Sequence, residues 1–224
     1  MVTVSIPDTV TYIGSSAFQG CTNLVGVSIP DGVEVVNSYC FENCTSLRDV
    51  TIGENVIKIE YNAFQNCNSL DNIEIPNGVT EIGRWAFGNC EKLTEVKLSK
   101  HLKKMGECAF ANCNKITQIE IPKSLEKCSY NSSINDKGKD SYFSGPFYNC
   151  KELRSVTFET GTTRVAENLF RKCYGIEEIE IPDTVTSIDS YAFENCKNLK
   201  DVKIGEGVVL IGLSLIHISE PTRP

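Results

Sequence analysis

The chain has 224 residues, 41% of them apolar and 23% charged, with 22 basic against 29 acidic side chains. That is globular composition, enough for one sizeable core or two small ones. A net charge of −7 with no basic run longer than two adjacent residues argues against nucleic acid as a partner, and the chain contains neither the roughly 20-residue apolar stretch that spans a bilayer nor an N-terminal signal-peptide pattern.

Eleven cysteines carry the organisation. Cys21, Cys44, Cys67, Cys90 and Cys113 are spaced by 23 residues, and after one step of 37 the series resumes at Cys150, Cys173 and Cys196. Phe18, Phe41, Phe64, Phe87, Phe110, Phe147, Phe170 and Phe193 each lie three residues before a repeat cysteine. Three residues after it comes Leu24, Leu47, Leu70, Leu93, Ile116, Leu153, Ile176 or Leu199. The unit reads A-F-x-N-C-x-x-L-x-x-V-x-I-P-x-x-V-x-x-I. A fixed period in the twenties marks a solenoid, in which each coil buries its apolar face only by stacking on its neighbours.

Taken in chain order, each unit first offers a strand. Segments such as Leu47 to Ile52 end in strict apolar and polar alternation, the period of a strand with one buried face. Nine such slots end at Ile6, Ile29, Ile52, Ile75, Leu98, Ile121, Phe158, Ile181 and Ile204, and they are expected to stack in parallel. Pro7, Pro30, Pro76, Pro122 and Pro182 follow directly, where a missing N–H harms the ladder least. A second extended segment then turns a V-x-x-I pair inward, Val79 and Ile82 for example. The A-F-x-N-C segment is expected to make one short helical or 3₁₀ turn. About nine coils fill residues 1–212.

Two segments depart from this pattern. The long step carries 14 residues more than the repeat, and because Cys128 still fills an inward slot and Phe147 opens the next turn, the insertion lies near 129–144. Its Ser, Asn, Asp, Lys and Gly content is that of a solvated loop. Tyr130, Tyr142 and Phe143 make it a candidate contact loop, with a tolerated surface excursion as the alternative. At the C-terminus the repeat demands Phe near 216, Cys near 219 and Leu near 222, where the chain has Ile216, Ser219 and Thr222. Residues 213–224 are therefore set apart as a non-repeat tail, and from Ser214 onward they resemble a translated sequencing-adapter read-through. Met1 sits in a Leu slot with no polar cap before it, so both ends read as cut.

The L-x-x-V-x-I-P strand joined to A-F-x-N-C resembles the BspA-like class of leucine-rich repeats, from Met1 to about Ile211. The resemblance implies a right-handed, curved solenoid with a parallel sheet on its concave side and short convex strands. It implies a surface or secreted module that binds protein or other cell-surface macromolecules, without catalytic residues or cofactors.

The three cysteines outside the series, Cys40, Cys108 and Cys128, are read as replacing the Ala, Ala and Ile of their units, which places all eleven at inward positions. Buried thiols are the simplest reading. A disulfide framework stays open as the alternative, because coils about 4.8 Å apart fall within the Cα separation that a bridge tolerates, although in-register side chains project in parallel. Zinc is disfavoured by the absence of any C-x-x-C pair and by only two histidines, His101 and His217. Six repeat cysteines follow an asparagine, a residue that suits a tight turn.

Alternation also assigns the outward strand residues. One row holds Gly26, Asp49, Asn72, Glu95, Gln118, Ser155, Glu178 and Asp201; the other holds Ser28, Thr51, Glu74, Lys97, Glu120, Thr157, Glu180 and Lys203. The candidate binding residues on this face are Asp49, Glu74, Glu95, Lys97, Glu120, Glu178, Glu180 and Asp201. An acidic face steers basic partners, whereas a merely solvated sheet face would need no partner at all. Trp85, beside the Ala86-Phe87 turn, is read as packing, with recognition as the alternative. The sequence has no G-x-S-x-G, phosphate loop or H-E-x-x-H, so the chain is read as non-enzymatic. An intracellular interaction scaffold, cytoplasmic and favoured by so many cysteines, is the second functional reading.

Overall fold

The computed structural model describes residues 2–129 and 144–213. Tyr130, Tyr142, Phe143, His217 and the rest of the tail from Ser214 onward lie outside the described residues. The chain winds as a parallel β-solenoid. After β1 (Val2–Ser5) and β2 (Leu24–Ser28), both on one face, it alternates between faces: β3 (Val35–Val36), β4 (Asp49–Thr51), β5 (Lys58–Ile59), β6 (Asn72–Glu74), β7 (Glu81–Ile82), β8 (Glu95–Lys97), β9 (Lys104–Gly106), β10 (Gln118–Ile121) and β11 (Lys127–Ser129). Beyond the insertion follow β12 (Ser155–Phe158), β13 (Arg164–Val165), β14 (Glu178–Ile181), β15 (Ser187–Ile188), β16 (Asp201–Ile204) and β17 (Leu210–Ile211). β1 and the even-numbered strands make the long-strand face, and the odd-numbered strands from β3 make the short-strand face. On the short-strand face the ladder runs unbroken from β3 to β11 and resumes from β13 to β17, so the insertion coincides with its one interruption among the described residues.

The A-F-x-N-C segment differs from the expected helical turn. No helix occurs among the described residues. In the fourth coil, Ala86, Gly88 and Cys90 donate N–H to the carbonyls of Gly83, Trp85 and Phe87 three residues back, while the alternate amides of Trp85, Phe87 and Asn89 donate to Glu107, Ala109 and Ala111 of the next coil at 2.8–3.1 Å. The turn is thus a third ladder between coils. Its geometry requires left-handed backbone at two slots, occupied here by Trp85 (φ 55°) and Asn89 (φ 60°), the third position of type II turns. Asparagine tolerates that region better than other residues with a side chain, and this is why it recurs before the cysteine.

Side chains follow the same repetition. Four of the asparagine amides donate to their predecessor one coil back: Asn66 to Asn43, Asn89 to Asn66, Asn112 to Asn89 and Asn149 to Asn112, all at 2.7–2.8 Å. Phenylalanine rings stack from Phe18 to Phe193, with centroids 5.1–5.2 Å apart up to Phe110 and 5.6–5.7 Å thereafter. All seven from Phe41 onward are fully buried. The wider spacing begins where the insertion sits.

The eleven cysteines are free thiols. Cys44, Cys67, Cys90, Cys113, Cys150 and Cys196 donate S–H to a phenylalanine carbonyl of the preceding coil at 3.0–3.4 Å. Two details correct the sequence reading. Cys21 is exposed, because no described coil precedes its turn to cover it. Cys108 occupies the left-handed slot (φ 56°) shared with Tyr39, Asn62 and Trp85, one residue before the Ala slot, though it is buried there all the same.

Burial pushes the Cys44 thiol up to about 11 and those of Cys40, Cys108 and Cys173 to about 12, from an ordinary 9.0. A folded-state pKa above the unfolded one means stability is fully present below pH 9 and lost as pH rises through the folded values. Denaturation midpoints should therefore hold up to about pH 9 and then fall steeply toward pH 11; an unchanged midpoint at pH 10.5 would refute the buried-thiol assignment. At pH 8 a maleimide should label Cys21 alone in the folded chain and all eleven cysteines after denaturation. Truncating the ring stack at Phe87→Ala should cost about 3 to 5 kcal/mol in urea unfolding, and an unaltered transition would contradict its burial.

Candidate functional site

Period-2 alternation and parallel register bring the predicted rows together on the long-strand face. Gly26 pairs with Asp49, Asn72 with Glu95, Gln118 with Ser155 and Glu178 with Asp201. In the second row Ser28 pairs with Thr51, Glu74 with Lys97, Glu120 with Thr157 and Glu180 with Lys203. Asp49, Glu74, Glu95, Lys97, Glu120, Glu178, Glu180 and Asp201 are all exposed, as the alternation requires. Gly26 departs from this. It is buried, and a Cβ there would stand 3.2 Å from the Thr3 methyl.

Between β6 and β12 this face is hollowed into a groove of about 580 Å³. Glu74, Glu95, Lys97, Gln118, Glu120 and Thr157 line it, together with Glu54, Lys100 and Glu159. Some of its charge is neutralised locally. Lys97 pairs with Glu74, which raises the lysine pKa, and Lys123 pairs with Glu159 at 3.6 Å while its backbone N–H donates to the same carboxylate, lowering that pKa. Glu177, just before β14, is held low by Lys200 and Arg154. Glu95, Glu120, Glu178 and Glu180 have no cation within ion-pair distance among the described residues, so their charge is available to an incoming group.

The chemistry open to this face is association. Acid catalysis by a carboxyl needs one carboxylate shielded from water beside one that is not, and every candidate here is exposed. Among the described residues no group of three or more His, Cys, Asp or Glu is placed to hold a metal ion. His101 sits in a turn, its Nδ1 3.0 Å from the Asn77 carbonyl. Trp85 packs as expected: its ring covers Gly88 so closely that a Cβ there would meet Trp85 Cε3 at 2.3 Å.

One group of surface residues escaped the sequence reading. Tyr12, Ile57 and Tyr61 are exposed on the short-strand side. The V-x-x-I pattern draws attention to its inward pair, and the signal lay in the two outward positions, which are apolar only in the first three coils and at the last.

A solenoid of 23-residue coils, with a leucine or isoleucine opening each long strand and an A-F-x-N-C turn closing the coil, defines a leucine-rich repeat protein. The chain belongs to the BspA type: the family described as BspA type leucine rich repeat region matches it in 6 copies, over residues 1–74, 34–139 and 140–218. Among solved structures it is similar to the pneumococcal vaccine antigen PcpA, with 22% identity, a TM-score of 0.61 and coverage of 95% of this chain and 57% of that one. A leucine rich cell surface protein of Faecalibacterium prausnitzii shares 26% identity, with a TM-score of 0.49 and coverage of 96% and 66%. A leucine-rich repeat protein of Bacteroides ovatus shares 22%, with a TM-score of 0.42 and coverage of 94% and 83%. A search of curated protein sequences gave no match. No helix among the described residues is long and apolar enough to cross a membrane.

Proposed function

We propose that this chain is a non-catalytic protein-binding module of a cell-surface or secreted protein, one that holds basic partner surfaces against its long-strand face and so serves adhesion. The observation that carries the reading is the acidic groove: carboxylates with no local partner, repeated at strand spacing, on a rigid and open surface. Membership of the BspA type supports it, as do relatives named as a cell surface protein and a vaccine antigen. Unpaired surface carboxylates contribute to encounter rate and selectivity more than to raw affinity. Such binding weakens as salt shortens the screening length below about 10 Å.

The free thiols favour a second reading, an intracellular interaction scaffold, because reducing compartments keep cysteines in that form. Burial weakens that objection to a surface role for ten of the eleven, since a neutral, covered thiol reacts slowly with oxidants.

The test is binding of the purified chain to an immobilised panel of folded basic proteins at low and physiological salt. Joint Glu74→Gln, Glu95→Gln and Glu178→Gln should weaken a salt-sensitive interaction about tenfold, each lost charge contributing a few tenths to 1 kcal/mol. Equal affinity in the triple variant would remove the acidic long-strand face from the interface. Antibody labelling of intact producing cells separates the two locations.

A further inference from the structure

Each V-x-x-I segment turns two side chains inward and two outward. From Thr80 to Ser187 the outward pairs are polar or charged throughout. In the first three coils they are not: Tyr12 is 71% exposed, Val35 is half-buried and Ile57 is 48% exposed. Around the adjoining corner Tyr61 is 44% exposed, with its ring edge-on to Tyr39 at 5.0 Å. Tyr12 and the remaining exposed large apolar side chains among the described residues lie in the first or last described coils, where stacking leaves one side uncovered. Ile57 and Tyr61 have coils on both sides, as the bonds from Ile57 N–H to Glu34 and from Thr80 N–H to Ile57 show. Their exposure follows from the direction of the side chain.

The charge around this patch is predominantly acidic. Glu60 and Glu81 share Lys58, at 3.0 and 3.5 Å, and Glu34 has no ion-pair partner among the described residues. Glu42 accepts from the Gln19 amide, and Arg84 is taken by Glu107 at 3.2 Å. What surrounds the rings is therefore net negative. Tyrosines bury much area at small entropic cost and attract cations to their faces, and the Tyr39–Tyr61 pair is already ordered. The long-strand groove, by contrast, has no aromatic residue among its lining residues.

We propose that Tyr12, Ile57 and Tyr61 form a second docking surface, for a basic polypeptide segment that presents aliphatic side chains between its Lys or Arg residues. The surface is independent of the long-strand groove and stands or falls without it. Rings and Ile57 take the aliphatic groups, and Glu34 with the Lys58 carboxylates takes the cations.

Trp85, the single tryptophan, lies one coil beyond Tyr61 on the same corner and serves as the reporter. The probe is a synthetic peptide of alternating Arg and Leu, with a Glu/Leu peptide as control, titrated while Trp85 emission is followed. The Arg/Leu peptide should bind, and joint Tyr12→Ser, Ile57→Thr and Tyr61→Ser should raise its Kd at least about tenfold. Ser and Thr occupy the same slots in other coils, and an unchanged melting temperature confirms that the variant folds. Glu74→Gln with Glu95→Gln and Glu120→Gln should leave the Kd read by Trp85 unchanged, whatever the groove itself takes up on the other face. Four results would overturn the proposal: equal affinity in the patch variant; loss of binding in the groove variant, which puts the peptide on the other face; equal binding of the Glu/Leu peptide, which means apolar adhesion only; or self-association that the patch substitutions abolish in sedimentation, which makes a second copy the occupant.

Discussion

Everything in this molecule depends on identical residues being able to stand on one another at the spacing of a β-ladder. Neighbouring coils are held at that spacing by backbone bonds on three sides, and the recurring phenylalanine and asparagine side chains of the turns meet their own kind one coil away. Few residue types satisfy the condition in a closed core. Phenylalanine does so by offset stacking, asparagine because its amide both donates and accepts, and cysteine because a small thiol fits below the phenylalanine carbonyl that accepts its S–H hydrogen bond. A charged residue recurring coil after coil at one of these slots would meet its own charge at every step.

The turn is where this constraint acts most strongly. Its left-handed backbone costs about 1 to 2 kcal/mol at each non-glycine slot, a cost offset by interlocking bonds within the turn and to the next coil. Asn43, Asn66, Asn89, Asn112 and Asn149 reduce that cost and add their own ladder. Lys172 fills the same slot in a later coil with the same backbone (φ 59°), so the ladder holds the geometry even where asparagine is missing.

Much of this was legible in the sequence because a repeat prints its geometry many times over. The long strands and both outward rows came directly from period-2 alternation, and parallel stacking followed from the constant 23-residue step. The turn was misread because bonds between residues three apart suit a 3₁₀ turn as well as successive β-turns; the choice is made by partners a full coil away. Cys108 was placed one slot too far along, since Cys108-Ala109-Phe110-Ala111 offers several small residues to match against one Ala. On the candidate surfaces, the acidic rows were visible because their residues alternate with a clear apolar set. The Tyr12, Ile57 and Tyr61 patch was not, because most outward positions of the short strands are polar or charged and Tyr61 lies beyond its strand, so no apolar residue recurs at those positions. The rigid core thus presents two unlike surfaces, an acidic groove without aromatic residues and an apolar corner with an acidic rim.

The turns are a third inter-coil ladder rather than loops joining two sheets. Native-state hydrogen exchange tests this most directly. The amides of Phe64, Phe87 and Asn89, each bonded to the next coil at 2.7–2.8 Å, should exchange as slowly as those of Ile73 and Val96 in the long strands, through global opening alone. Exchange of these turn amides at rates typical of surface loops, with the strands still protected, would contradict the account.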